Sequence, residues 1–91
     1  MARIIKAKAV EFRFLAPAAK KVSIAGSFNN WKTNKTVAKK DTTGFWKAKV
    51  SLKPGKYEYK FFVDGSWISD PKSQNTVYNS FGSQNSILEI K

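Results

Sequence analysis

The sequence predicts an all-β chain that folds as an antiparallel β-sandwich. Apolar residues recur at every second position in successive runs, and no window sustains the stripe of an amphipathic helix. Short turn signals separate the runs at the spacing that sandwich strands use. The 91 residues are 42% hydrophobic and 14% aromatic, enough for one small core. A domain of this length buries roughly 60–65% of the surface its unfolded chain exposes. One domain spanning residues 1–91 is therefore expected.

Val10, Phe12 and Phe14 alternate with Glu11 and Arg13, which gives a first strand with one dry and one wet face. Val22 and Ile24 alternate with Ser23 and Ala25 in a second strand that ends at a Gly26-Ser27 turn. Trp46, Ala48, Val50 and Leu52 share one face of a third run, which places Trp46 in the core. Lys53-Pro54-Gly55-Lys56 has proline and glycine where a type II turn needs them, and leads into Tyr57, Tyr59, Phe61 and Val63. Asp64-Gly65 is the signature of a type I′ hairpin turn. Beyond Asp70-Pro71, residues 72–86 are rich in Ser, Asn and Gln and read as a long polar loop. Ile87, Leu88 and Ile90 then make a final strand. About seven strands with this punctuation indicate an immunoglobulin-like antiparallel β-sandwich.

The chain has no cysteine and no histidine, which excludes disulfides, thiolate metal sites and imidazole chemistry. Its six acidic residues are isolated, so the two convergent carboxyl groups of glycoside hydrolysis are not signalled. There is no Gly-rich phosphate loop and no nucleophile motif. The expectation is a protein that is not an enzyme and takes no cofactor or metal. Arg3, Lys6 and Lys8 interrupt any apolar run at the N-terminus, and no segment is long enough to cross a bilayer. A cytoplasmic protein without a membrane partner is expected. Seventeen basic residues against six acidic ones give a formal charge of +11, which favours encounter with polyanions. The lysines are nevertheless scattered, and a solvated lysine-rich surface accounts for them as well.

Candidate site residues lie in the turns and on one strand face. Trp31 follows Asn29-Asn30 and precedes Lys32-Thr33-Asn34-Lys35. An indole there is either exposed for binding or tucked against the sheet, and its π face suits the C–H face of a pyranose or a base. Trp67 emerges just after the Asp64-Gly65 turn, either as a second exposed ring or as a strand residue packed on the core. Strand parity puts Lys60 opposite Tyr59 and Phe61, beside Glu58 and Phe62. It is a three-proton donor to hydroxyl oxygens or a solvated lysine paired with Glu58. In the loop Ser80-Phe81-Gly82-Ser83-Gln84-Asn85-Ser86, Asn85 can donate and accept together, as vicinal hydroxyls require. Phe81 could cover a sugar face or plug the edge of the sandwich.

Ser23-Ile24-Ala25-Gly26-Ser27-Phe28-Asn29-Asn30-Trp31 and Tyr57-Glu58-Tyr59-Lys60-Phe61-Phe62-Val63-Asp64-Gly65-Ser66-Trp67, with Asp70-Pro71 and Asn85 downstream, resemble the family-48 carbohydrate-binding modules. These include the glycogen-binding domain of the AMP-activated protein kinase β subunit and the N-terminal early-set modules of isoamylase and branching enzymes. The resemblance covers about residues 10 to 90. It implies an immunoglobulin-like sandwich that binds α-1,4-linked glucans (glycogen, starch, maltooligosaccharides) without cleaving them, and that targets or regulates glycogen metabolism. A glycogen-metabolising enzyme is the further partner it suggests. On the same resemblance Trp31 and Trp67 match the two stacking tryptophans, Lys60 the lysine that hydrogen-bonds the glucan, and Asn85 the asparagine of the last loop. Phe81 stands where the kinase module has a leucine, and Ser83 where it has a threonine. The segment 72–82 is one residue longer than its kinase counterpart.

Two alternatives belong to other classes. Tyr57-Glu58-Tyr59-Lys60-Phe61-Phe62-Val63 also fits the aromatic and basic strands with which small β-barrels stack single-stranded nucleic acid, and the net charge supports that reading. Against it, such barrels line their aromatics along one exposed strand face, whereas Tyr57, Tyr59 and Phe61 share the parity expected to be buried. A protein-interaction scaffold that has lost sugar binding is the other alternative.

Overall fold

A computed structural model describes residues 7–73, 75–80 and 82–91. Eight strands, rather than about seven, form two antiparallel sheets of a β-sandwich. They are β1 (Lys8–Leu15), β2 (Val22–Gly26), β3 (Lys39–Lys40), β4 (Phe45–Leu52), β5 (Gly55–Val63), β6 (Ser66–Ile68), β7 (Thr76–Tyr78) and β8 (Gln84–Ile90). One sheet has the order β1-β4-β3. The other has the order β2-β5-β8-β7, with β6 added to β5. Among the described residues no helix is long and apolar enough to cross a membrane.

The alternation read from the sequence sets the core. Phe12 from β1, Trp46 and Ala48 from β4, Val22 and Ile24 from β2, and Tyr59 and Phe61 from β5 pack between the sheets with Ala38. Each fully buried large side chain contributes about 1.5–3 kcal/mol relative to exposure. Trp46 is a core residue as expected, and its Nε1–H reaches the Ala16 carbonyl at 2.8 Å, which satisfies the one polar group of a buried indole.

Three local expectations are corrected. The segment 72–86 is not one loop: Thr76–Tyr78 pairs with Gln84–Ile90 through Val77↔Asn85 and Tyr78↔Gln84. Gly55 has φ +152° rather than the roughly +80° of a type II turn, because it already pairs with Ile90 as the first residue of β5. Ser23 and Ala25 are buried instead of wet. The chain at residues 36–38 runs along β2, with Ile24 N–H donating to the Thr36 carbonyl and Ala38 N–H to the Val22 carbonyl. The Asp64-Gly65 turn is as predicted, with φ values of 48° and 85°, both positive as type I′ demands.

Strand β5 is the spine of its sheet. Its first half, Gly55 to Tyr59, pairs with β8, and its second, Phe61 to Val63, pairs with β6. The two partners therefore follow one another along the same edge. Polar bonds close the joint between them: Tyr59 Oη donates to Asp70 Oδ2 at 2.6 Å, Asp70 N–H to Ser86 Oγ at 3.1 Å, and Ser69 Oγ to the Gln84 carbonyl at 2.7 Å. Burial and then the Asp70 carboxylate push the Tyr59 hydroxyl far above its ordinary pKa, so it remains a donor. In the other sheet, Asp41 knots the β3–β4 turn. Its carboxylate accepts from Thr43 Oγ1 at 2.6 Å, Thr43 N–H at 2.8 Å and Phe45 N–H at 3.2 Å, and pairs with Lys47 Nζ at 3.0 Å.

Candidate functional site

The loop that carries Trp31 is built on a close approach of backbones. Gly26 ends β2 in extended conformation (φ −169°), and a Cβ there would run into the Glu58 carbonyl oxygen and the Phe28 and Tyr59 side chains. Only glycine lets the strand end lie so close to β5. A single 3-10 turn, Ser27–Asn29, follows, and Ser27 Oγ accepts the Glu58 N–H at 3.1 Å. The Asn29 side chain then acts as a clamp. Its Oδ1 accepts Gly26 N–H at 3.0 Å, while its Nδ2 donates to the Ile24 carbonyl at 3.0 Å and to Thr36 Oγ1 at 3.1 Å. Asn30 and Trp31 are both left-handed, with φ of 57° and 58°, before Trp31 N–H returns to the Gly26 carbonyl at 2.9 Å. Asparagine visits this region readily, but for a tryptophan it costs about 1–2 kcal/mol. Such strain persists where the surroundings over-determine it, and here it turns the indole outward.

Trp67 reaches the same place from the β5–β6 hairpin, paired with Phe62. Its ring lies 4.8 Å from the Phe62 ring and 6.3 Å from the Trp31 ring, the two indoles meeting edge to face at 68°. Trp31 is 37% exposed and Trp67 46%, so of the two readings open for each ring the structure takes the exposed one. The indoles are inclined faces of one ridge rather than a flat platform.

Below the ridge, Lys60 sits on the outer face of β5, yet only 7% of it is exposed. Its Nζ donates to Ser83 Oγ at 2.9 Å, not to Glu58, and it lies at the point where β8 has ended and β6 begins. Ser83 belongs to a knot tied by Asn79. Asn79 Nδ2 donates to Ser83 Oγ at 2.8 Å and to Asn85 Oδ1 at 2.9 Å, while Asn79 Oδ1 accepts Ser83 N–H at 3.2 Å. Asn85, itself buried, passes its Nδ2 to Glu58 Oε1 at 3.1 Å. The series Lys60, Ser83, Asn79, Asn85, Glu58 is thus one continuous polar floor.

Trp31, Lys60, Trp67, Ser83 and Asn85, five of the six residues singled out in the sequence, line a single open cleft of about 650 Å³. The sixth, Phe81, lies outside the described residues. Ser27, Glu58, Asn79 and Ser80 complete the lining. Of these, Asn79 was not singled out, because in sequence it is one amide among several in a polar stretch. Its signal is positional: it follows a Thr-Val-Tyr triplet of strand-forming residues and closes the β7–β8 turn. Lys60 and Glu58 are, among the described residues, the only charged groups of the lining, so the described cleft is formally neutral although the chain carries +11. Among the described residues no group of acidic, histidine or cysteine side chains could hold a metal ion. Two inclined aromatic faces above a floor of hydroxyl, amide, ammonium and carboxylate groups can grip a curved, uncharged, polyhydroxylated ligand. Nothing in this set offers a proton-transfer pair aimed at a common point.

A family model described as the glycogen recognition site of AMP-activated protein kinase matches residues 9–91. The β-2 subunits of 5'-AMP-activated protein kinase from Homo sapiens and Mus musculus are 40% identical to this chain over 72 residues. That is 79% of this chain and 25% and 26% of those subunits. The β-1 subunit from Bos taurus is 39% identical over 72 residues, 79% of this chain and 25% of its own. The chain spans about a quarter of the length of the curated relatives it matches.

Proposed function

Because the chain belongs to the AMP-activated protein kinase glycogen-recognition family, we propose that it is a non-catalytic module whose cleft binds α-1,4-linked glucan. The observation that carries this reading is the pair of exposed indoles inclined at 68° over a neutral hydrogen-bonding floor. Glucose rings present an apolar C–H face to an indole and hydroxyls at their rim. Consecutive α-linked units turn relative to one another, so two inclined faces suit successive units better than two coplanar ones. Trp31 and Trp67 stack on the sugar faces. Lys60, with one proton committed to Ser83 Oγ, donates to ring hydroxyls with the others. Ser83 Oγ already accepts from Lys60 and Asn79, which leaves its own proton for the ligand, and Asn85 fixes a further hydroxyl. Phe81 is assigned an apolar contact with the same ligand.

Two stacked rings and a few hydrogen bonds exchanged with water correspond to a dissociation constant of roughly micromolar to millimolar. The neutrality of the cleft disfavours single-stranded nucleic acid, which would need a basic groove along its phosphates. The kinase relatives support a partner in a glycogen-associated enzyme complex and a cytoplasmic setting. Titration of intrinsic tryptophan fluorescence with maltoheptaose tests the reading. A saturable change insensitive to salt is expected, whereas silence with the sugar and a salt-sensitive response to an oligonucleotide would overturn it.

A further inference from the structure

Each of the two segments that present the tryptophans has a second side. Beyond Trp31 the same loop continues into Thr33 and Asn34, and before Trp67 the same hairpin turns at Asp64-Gly65. These four residues line a second groove of about 440 Å³. It lies further along the outer face of β5. Glu58 and Lys60 line the first cleft, and Phe62, the next residue of that face, lines the second. Trp67, which lines the cleft, and Phe62, which lines the groove, have ring centroids 4.8 Å apart, so the two depressions are neighbours.

The groove shares the cleft's pairing of apolar and hydrogen-bonding groups but not its exposed indoles, and Lys20, Lys21 and Asp64 give its lining a formal charge of +1. Its apolar lining comes from Val22, Phe62 and Val37, the last 63% exposed and outside the core. Its rim carries a hydroxyl, an amide and two ammonium groups, from Thr33, Asn34, Lys20 and Lys21. The backbone at Lys20 and Lys21 is held by Asp64, which leaves the two lysine side chains out of the fixing bonds. Asp64 Oδ1 accepts the Lys20 and Lys21 N–H groups at 2.9 and 2.8 Å, and Asp64 N–H donates to the Lys21 carbonyl at 3.0 Å. The ion pairs of the described residues, Arg13 with Glu11 and Lys47 with Asp41, involve neither Lys20 nor Lys21. Their side chains are available to a ligand, and the volume falls within the roughly 300–1,000 Å³ of ligand sites.

We propose that this groove is an accessory α-glucan subsite, taking the glucose units that lie beyond the aromatic ridge when the chain is longer than the cleft. The inference rests on the glucan reading of the cleft and extends it. A glucan seated on Trp31 and Trp67 curves over the ridge they form, and on its far side it meets Phe62 and Val37 with apolar faces and Asn34 with hydroxyls. The consequence is a share of the long-chain affinity, beyond what filling the cleft and the added binding registers of a longer chain supply, that is lost when the groove is altered.

Calorimetry with maltotriose and with a long linear maltodextrin, on the unaltered chain and on Asn34→Ala/Val37→Ser, separates the outcomes. Removing an amide contact and an apolar contact is expected to weaken the long glucan about five- to tenfold and to leave maltotriose unchanged. As a readout that needs no variant, amide resonances of residues 33–37 and 62–65 in the unaltered chain should shift with the long glucan and not with maltotriose. Equal affinities for the two sugars, with those resonances unmoved, would overturn the accessory subsite and leave the cleft assignment standing. No binding of either sugar would overturn both.

Discussion

Replacing Trp31 by alanine isolates the stacking contact, because alanine keeps the loop backbone and its bond from residue 31 N–H to the Gly26 carbonyl. The magnitude follows from what the ring still shows to water. An indole buries up to about 250 Å², so the 37% exposure of Trp31 leaves roughly 90 Å² for a ligand to cover. At about 25 cal/mol per Å² that is about 2 kcal/mol, or about 30-fold in dissociation constant. The same arithmetic for Trp67, 46% exposed, gives slightly more. Loss of the edge contact with Trp67 and of the partly buried ring also costs stability, on the order of 1–3 kcal/mol, less than the total for a domain of this kind. Isothermal calorimetry with maltoheptaose, run well below the melting transition and with circular dichroism as the check on folding, reads the change directly. A folded Trp31→Ala with affinity within twofold of the parent would refute the argument from exposed indole area.

Asn79→Ala should lower stability by about 1–3 kcal/mol, since Ser83 N–H and the buried Asn85 lose their partners, and should weaken maltoheptaose by about tenfold as Lys60 and Ser83 lose their registry. Denaturant melts and calorimetry read the two effects separately. Asp64→Ala removes the carboxylate that accepts the Lys20 and Lys21 N–H groups and leaves an alanine at φ 48°. A loss of about 2–4 kcal/mol in a thermal or urea melt is expected. The Thr43 hydroxyl, with Lys47 beside it, holds the Asp41 carboxyl far below its ordinary value. Because the folded pKa is depressed, its stabilisation is present above the unfolded value of about 3.9 and is lost as pH falls below it. The stability gap between the parent and Asp41→Asn should therefore be flat through neutral pH and should narrow in acid, as urea midpoints against pH will record. Maltoheptaose affinity should stay constant from low to high salt, whereas a steep decline would mean that phosphate-like charge, not hydroxyls, is recognised.

The core was legible in the sequence wherever alternation was strict: Phe12, Trp46, Ala48, Tyr59 and Phe61 all pack as their parity required. Parity failed at Ser23 and Ala25, since it knows nothing of a distant segment, residues 36–38, that pairs along the free edge of the strand. Strand β7 was missed because three residues inside a polar stretch cannot outweigh their neighbours, and β3 because two lysines carry no alternation. In the site, the tryptophans stood out by being large rings in turn contexts. The burial of Lys60 could not be read locally, because it arises from the joint between β6 and β8, which are separate neighbours of β5. Asn29 and Asn79 were invisible for a related reason. Their importance lies in how many backbone and side-chain groups converge on them, and convergence is a property of the folded chain.

The left-handed pair Asn30-Trp31 has a consequence for time rather than for strength. With the indole already held outward, the proposed glucan site is a finished surface, for which association of about 10⁶ M⁻¹s⁻¹ is expected, ordinary for a contact without rearrangement. For a dissociation constant of about 100 μM that rate implies departure about 100 times per second, hence a stay of about 10 ms on any one chain. On a branched particle crowded with chain ends, a grip of that duration walks instead of anchoring. On the proposed reading, the module would stay near the surface while remaining free to move across it.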